Sequence, residues 1–144
     1  MQGLLTRVST CFAGGVFGAL IGSLGAWMAG QYGWTAAMGV AIAPQWEGAW
    51  LYPRLVLGGL WGLLFLPSTL SNSLFWRGLV LSLVPTLVQL LVVFPLDPRG
   101  GVWGLGFGGW TPVYVLLVNA LWGWTTASWV MAVTGGQERY HRLR

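Results

Sequence analysis

Only 7% of this 144-residue chain is charged and 56% is hydrophobic, whereas a soluble domain carries about 25% charged residues. Such a chain cannot cover a water-facing surface, so its exterior must face lipid, and its length suits one bundle of four spans with no soluble domain. The formal net charge of +4 is not a nucleic-acid footprint, because the seven arginines are scattered and the one cluster is a short C-terminal stretch.

The single cysteine, Cys11, excludes an internal disulfide. Arg7 followed by an apolar run resembles a secretory signal. The run is long and glycine-patterned, however, and Pro44 after Ala41-Ile42-Ala43 disfavours cleavage.

The first predicted helix covers about 8–30. Small residues stand at every fourth position on one face, at Gly14, Gly18, Gly22, Ala26 and Gly30. Lipid gives no hydrophobic drive for helix association, so close backbone approach must supply it, and such a ladder predicts packing against other helices of the chain. A homodimer seam is the alternative use of that face. Residues 31–52 are awkward, because they are too many to extend the first span. They read as a short interfacial or re-entrant helix over 34–43 and a loop over 44–48, with a fifth span as the alternative.

The second predicted helix covers about 53–70. It has Pro53 in its first turn, Arg54 snorkelling to the headgroups, Gly58 and Gly62 as a second small-residue pair, and Pro67 bending its last turn. Residues 68–77 read as a polar connector. The third predicted helix, 78–96, is uncharged between Arg77 and Asp97 and carries Pro85 near its middle. A loop over 97–110 has six glycines and three aromatics. The fourth predicted helix, 111–133, ends at Gly135-Gly136, and 134–144 is a basic tail.

With four spans, both termini share a side with Arg7, Arg77, Arg139, Arg142 and Arg144. The other side has Arg54 and Arg99, each with an acid nearby in sequence, Glu47 and Asp97. The positive-inside rule then puts both termini in the cytoplasm. Trp34, Trp46, Trp50, Trp103 and Trp110 fall in the two outer segments. Tryptophan prefers the headgroup level, so they predict an aromatic outer surface that anchors the protein, docks a partner, or covers a lipid, pigment or quinone-like ligand.

Ser82, Thr86 and Gln89 share one face of the third helix, and Pro85 frees the carbonyl of Leu81. Asn119 shares a face of the fourth helix with Gly123 and Ala127. Gln89 lies seven residues before Leu96 and Asn119 seven after Pro112. The two amides are therefore expected at equal depth, facing each other as interhelical glue or lining a polar pocket.

The only histidine, His141, is in the tail, and the acids are Glu47, Asp97 and Glu138. The spans thus lack the groups for a haem site, a serine–histidine dyad, a metal site, paired aspartates or a carboxylate proton relay. Residues 104–109, GLGFGG, lack the preceding strand and the Lys-Ser/Thr of a phosphate loop. No catalytic residue, metal or cofactor is expected.

Phe94-Pro95-Leu96, the aromatic glycine-bearing loop and Leu121-Trp122 resemble the matching part of the YagU-like family of small bacterial inner-membrane proteins. The resemblance covers about a third of the chain. It implies a four-helix inner-membrane protein without an established activity and brings no functional residue with it. The chain departs from that family in lacking helix histidines and a long polar first loop. The reading from sequence is an all-α bundle of four transmembrane helices, 1–144 as one domain. Its expected function is a non-enzymatic accessory or assembly component in contact with lipid and a membrane partner. The alternatives are a permease or channel component using Ser82, Thr86, Gln89 and Asn119, and binding of a hydrophobic ligand at the tryptophans.

Overall fold

In lipid every backbone N–H and C=O must find its partner within the chain, so long apolar runs fold as helices despite their glycines and prolines. The computed structural model is helical throughout, with no strand among the described residues, which are 3–67 and 73–142 (of 136–142, the backbone only). The elements are α1 (Leu4–Gln31), a single turn α2 (Trp34–Ala37), α3 (Gly48–Gly62), α4 (Leu74–Val88), α5 (Phe94–Leu96) and α6 (Thr111–Arg142). A 3-10 turn, Leu63–Phe65, continues α3, and a π-helical turn, Gln89–Val93, joins α4 to α5 without a break. Three stretches are long and apolar enough to cross a membrane: Leu4–Gln31, Leu74–Leu96 and Thr111–Gly135. Bulky apolar side chains point outward from each main helix, among them Phe17, Leu60, Leu87 and Leu117, as a lipid-facing exterior requires.

The long helices alternate in direction. The Trp122 indole donates to the Gly15 carbonyl at 3.1 Å, and Gly22 lies beside the Val118 carbonyl, so α6 runs opposite to α1. Gly62 approaches the Cys11 carbonyl and Arg54 reaches Ser23, so α3 also opposes α1. Gly78 meets Gly123 while Thr86 meets Asn119, so α4 opposes α6. α1 packs on α3 and α6, and α6 packs on α4. α3 and α4 are the neighbours that do not close on each other.

The small residues divide between two faces of α1. Gly14, Gly18 and Gly22 lie against Trp129, Trp122, Thr126 and Val118 of α6. Gly15, one residue off the ladder, meets Gly58 and Gly62 of α3. Ala26 is buried in a cluster with Val40, Leu90 and Val115, and Gly30 abuts Ala43 of the following loop rather than another helix.

Several expected boundaries move. α1 begins at Leu4 and α4 at Leu74, so Arg7 and Arg77 lie inside helices. At 28 residues α1 is about 42 Å long and outreaches the roughly 30 Å hydrocarbon core, leaving its first turns polar surroundings. α3 begins at Gly48, which moves Pro53 into the helix and Arg54 inward. The connector expected over 68–77 gives up 74–77 to α4, and its residues 68–72, with the expected end of the second helix, fall outside the described residues. The helix expected over 34–43 shrinks to one turn followed by non-helical chain to residue 47, so no helix of spanning length stands where a fifth span was the alternative. Finally, α6 runs through Gly135-Gly136 to Arg142. Glycine ends a helix only by turning left-handed, and the following Gln, Glu and Arg are good helix formers.

Candidate functional site

The polar residues of α4 and α6 meet in one hydrogen-bonded chain. Ser82 donates to the Leu79 carbonyl at 2.6 Å and Thr86 to the Ser82 carbonyl at 2.7 Å. Asn119 then donates from Nδ2 to Thr86 Oγ1 at 3.1 Å and to Gln89 Oε1 at 3.4 Å. Ser82 and Thr86 are 0% and 4% exposed, and their hydroxyls are bonded within their own helix. Gly123 sits beside it, against the Gly78 carbonyl and Ser82 Cβ. Asn119→Leu is expected to cost about 1 kcal/mol, the usual worth of an interhelical amide bond. Unfolding in mixed detergent micelles measures this, and an unchanged midpoint would deny the Asn119–Thr86–Gln89 contact any part in holding α4 to α6.

The opening lies next to that chain, where α3 and α4 stand apart. A cleft of about 260 Å³ has α3 as one wall, through Leu57, Gly58 and Trp61, and α4 as the other, through Pro85, Val88 and Gln89. Its floor is Ala19, Gly22 and Ser23 of α1 with Val118 and Trp122 of α6. The lining is almost wholly apolar except for Arg54, Ser23 and Gln89. A second chamber of about 410 Å³ lies toward the outer segments, against Trp50, Asp97, Arg99, Phe107 and Tyr114. Arg54, Gln89 and Val118 line both. Together the two spaces are of a size that takes a small ligand or part of a lipid.

Arg54 stands at the junction. Its Nε donates to Ser23 Oγ at 3.0 Å, and its guanidinium carbon lies 4.9 Å from the centre of the Trp50 ring. Glu47, the acid nearest in sequence, is exposed at the N-cap of α3 and does not pair with it. The only ion pair among the described residues joins Arg99 to Asp97 at 3.4 Å. Asp97 is held below the usual carboxylate range by the backbone N–H of Arg99 and then by its guanidinium. Asp97 is therefore ionised at neutral pH and already engaged.

The π turn starts at Gln89. Its extra residue per turn re-aims the side chains that follow it, and Gln89 lines both spaces. The Ala41 N–H donates to the Phe107 carbonyl at 2.7 Å, which ties the two outer segments together. Trp103, left-handed at φ 63°, is the one non-glycine with positive φ among the described residues.

Among the five outer tryptophans, direct ring contact joins Trp46 to Trp50. Trp46 contacts Trp27 and Trp50 edge-on or tilted, with centroids 5.8 and 6.1 Å apart, while Trp34 stacks on Tyr32 at 5.8 Å. Trp103 and Trp110 are exposed beyond them. Of the five, Trp50 alone reaches the chamber, beneath Arg54.

No family model, curated protein or solved structure matches the chain. Nothing in those comparisons bears on the resemblance to the YagU-like family. Among the described residues no group of three or more His, Cys, Asp or Glu could hold a metal.

Proposed function

We propose that this is a non-enzymatic protein of the bacterial inner membrane that spans it four times and holds one membrane amphiphile by its chain in the cleft between α3 and α4. The observation that carries the reading is that cleft, apolar along its length and flanked by helices that do not close on each other. Such a gap in a membrane exposes apolar walls that a lipid chain fills.

The fourth span of the proposal is α3 with its 3-10 turn. Fifteen α-helical and three 3-10 residues rise about 28 Å, close to the hydrocarbon thickness. The arginines of the terminal end, Arg7 and Arg77 with Arg139, Arg142 and Arg144, assign that end to the cytoplasm. Holding a lipid is how so small a protein would serve as an accessory component beside a larger membrane partner. The YagU-like resemblance agrees with that placement and adds no activity. A permease path along Ser82 and Thr86 is disfavoured by their burial.

Native mass spectrometry of protein purified in mild detergent tests the reading. Wild type is expected to retain a lipid, and Val88→Trp, which fills the cleft, to lose at least about tenfold in occupancy. Leu60→Trp, on the exposed side of α3, is expected to behave as wild type. Equal occupancy in Val88→Trp and wild type would sink the proposal.

A further inference from the structure

The chemistry of the outer chamber bears on what its occupant carries as a head. This inference rests on the proposal that the cleft holds an amphiphile, and goes on to name its class.

The chamber's charged groups are Arg54, Arg99 and Asp97. Asp97 and Arg99 neutralise each other, which leaves Arg54 unbalanced. An arginine stays ionised in proteins, and a charge within a membrane protein is costly unless it is paired. Ser23 takes the Nε edge of Arg54 and Trp50 approaches its guanidinium. Among the described residues its only hydrogen bond is the one to Ser23, so the Nη edge, which makes the bidentate fork, is left for an occupant.

The neighbouring polar groups have the same polarity. Gln89 already accepts from Asn119 through Oε1, so Nε2 remains as a donor. Tyr114 lines the chamber beside Arg54, with its hydroxyl free to donate. Arg54, Gln89 and Tyr114 therefore offer donors, while the one acid is engaged. That combination takes an anion with several acceptor oxygens, and it has no free acid for an ammonium group.

We infer that Arg54, with Gln89 and Tyr114, forms the headgroup site for an anionic phospholipid whose chain lies in the cleft between α3 and α4. A zwitterionic phospholipid brings a phosphate but also an ammonium that finds no partner. A quinone brings acceptors but leaves the Arg54 charge uncompensated.

The test is lipid binding to the delipidated full chain in mild detergent, read by native mass spectrometry with menaquinone and with phosphatidylglycerol, phosphatidylethanolamine and diacylglycerol of identical chains. Wild type is expected to prefer phosphatidylglycerol to phosphatidylethanolamine by about tenfold or more. Arg54→Gln should weaken phosphatidylglycerol by about tenfold to a hundredfold while leaving diacylglycerol unchanged. Arg54→Lys keeps the charge and should retain part of the preference. This variant keeps the test informative if the glutamine variant misfolds.

Equal affinity for the two phospholipids overturns the anion inference alone, as does an Arg54→Gln variant that selects like wild type or a wild type that takes menaquinone in preference to phosphatidylglycerol. A wild type that binds none of these molecules overturns the cleft reading itself.

Discussion

Gly15→Val is expected to lower stability by about 3 kcal/mol or more, at the upper end of what overpacking a core costs. A Cβ at Gly15 would overlap the carbonyl oxygen of Gly58 and stand 2.8 Å from the Gly62 Cα. Both obstacles are backbone, so no side chain can swing aside, and α1 and α3 must separate. Separation also pulls on the Gly15 carbonyl, which accepts from the Trp122 indole at 3.1 Å, and on the Ser23–Arg54 bond at 3.0 Å. One substitution thus disturbs both faces of α1. Gly25→Ala is the matched control, since its Cβ would meet only Leu121 Cδ2 at 3.0 Å, the free end of a flexible side chain, and alanine favours the helix by up to about 1 kcal/mol. Unfolding by increasing mole fraction of a denaturing detergent reads both variants. A Gly15→Val midpoint equal to that of wild type would mean that α1 and α3 do not pack through these glycines.

Much of the fold is legible in the sequence because hydrocarbon allows so few solutions. An uncharged run bounded by Arg77 and Asp97 has to be a helix, and a small residue at every fourth place marks a packed face. What misleads is the use of charge as punctuation. Arg7 and Arg77 look like borders, yet both are helical and turn their guanidinium groups back onto the end of α3. The same habit assigns Arg54 to a helix start that lies at Gly48. Periodicity finds the ladder of Gly14, Gly18 and Gly22 but not Gly15, because one helix in contact with two others uses two faces and a single repeat describes one.

The site divides in the same way. Counting residues inward from Leu96 and Pro112 brings Gln89 and Asn119 to one depth, and their amides are 3.4 Å apart. That argument needs only helical rise. The cleft needs the angle between α3 and α4, two helices with no sequence signal in common, and no count along one helix supplies it. Ser23 is the clue available beforehand. It is a polar residue beside the ladder in the otherwise apolar stretch between Cys11 and Gln31, it is 1% exposed, and its partner is Arg54. Asking where a buried serine finds a hydrogen bond would have pointed to the arginine that stands at the cleft.

Arg77→Ala is expected to lower stability by about 2 kcal/mol, the cost of losing charge-assisted bonds, one of them to the partly buried Phe65 carbonyl. The last carbonyls of any helix lack intrahelical partners, and Pro67 brings no N–H to help. Arg77 from α4 supplies the missing donor, with Nη2 at 2.6 Å from the Phe65 carbonyl and 3.2 Å from that of Pro67. Its positive charge also meets the negative end of the helix dipole. Arg7 of α1 caps the neighbouring Leu66 carbonyl at 2.5 Å but is exposed, so Arg7→Ala should cost no more than about 1 kcal/mol. Arg77→Lys keeps the charge but has a shorter reach and no planar guanidinium, and should fall between wild type and alanine. Cys11 gives a second readout, because it lines a small pocket at the terminal end of the bundle with Arg77 and Phe65 and is only 4% exposed. A loosened α3 end uncovers it, so a membrane-permeant maleimide should label Cys11 faster in Arg77→Ala than in wild type. If midpoint and labelling rate both stay at wild-type values, the end of α3 is held by something other than Arg77. If the midpoint falls while Cys11 stays protected, the lost stability belongs to α4 and not to the cap.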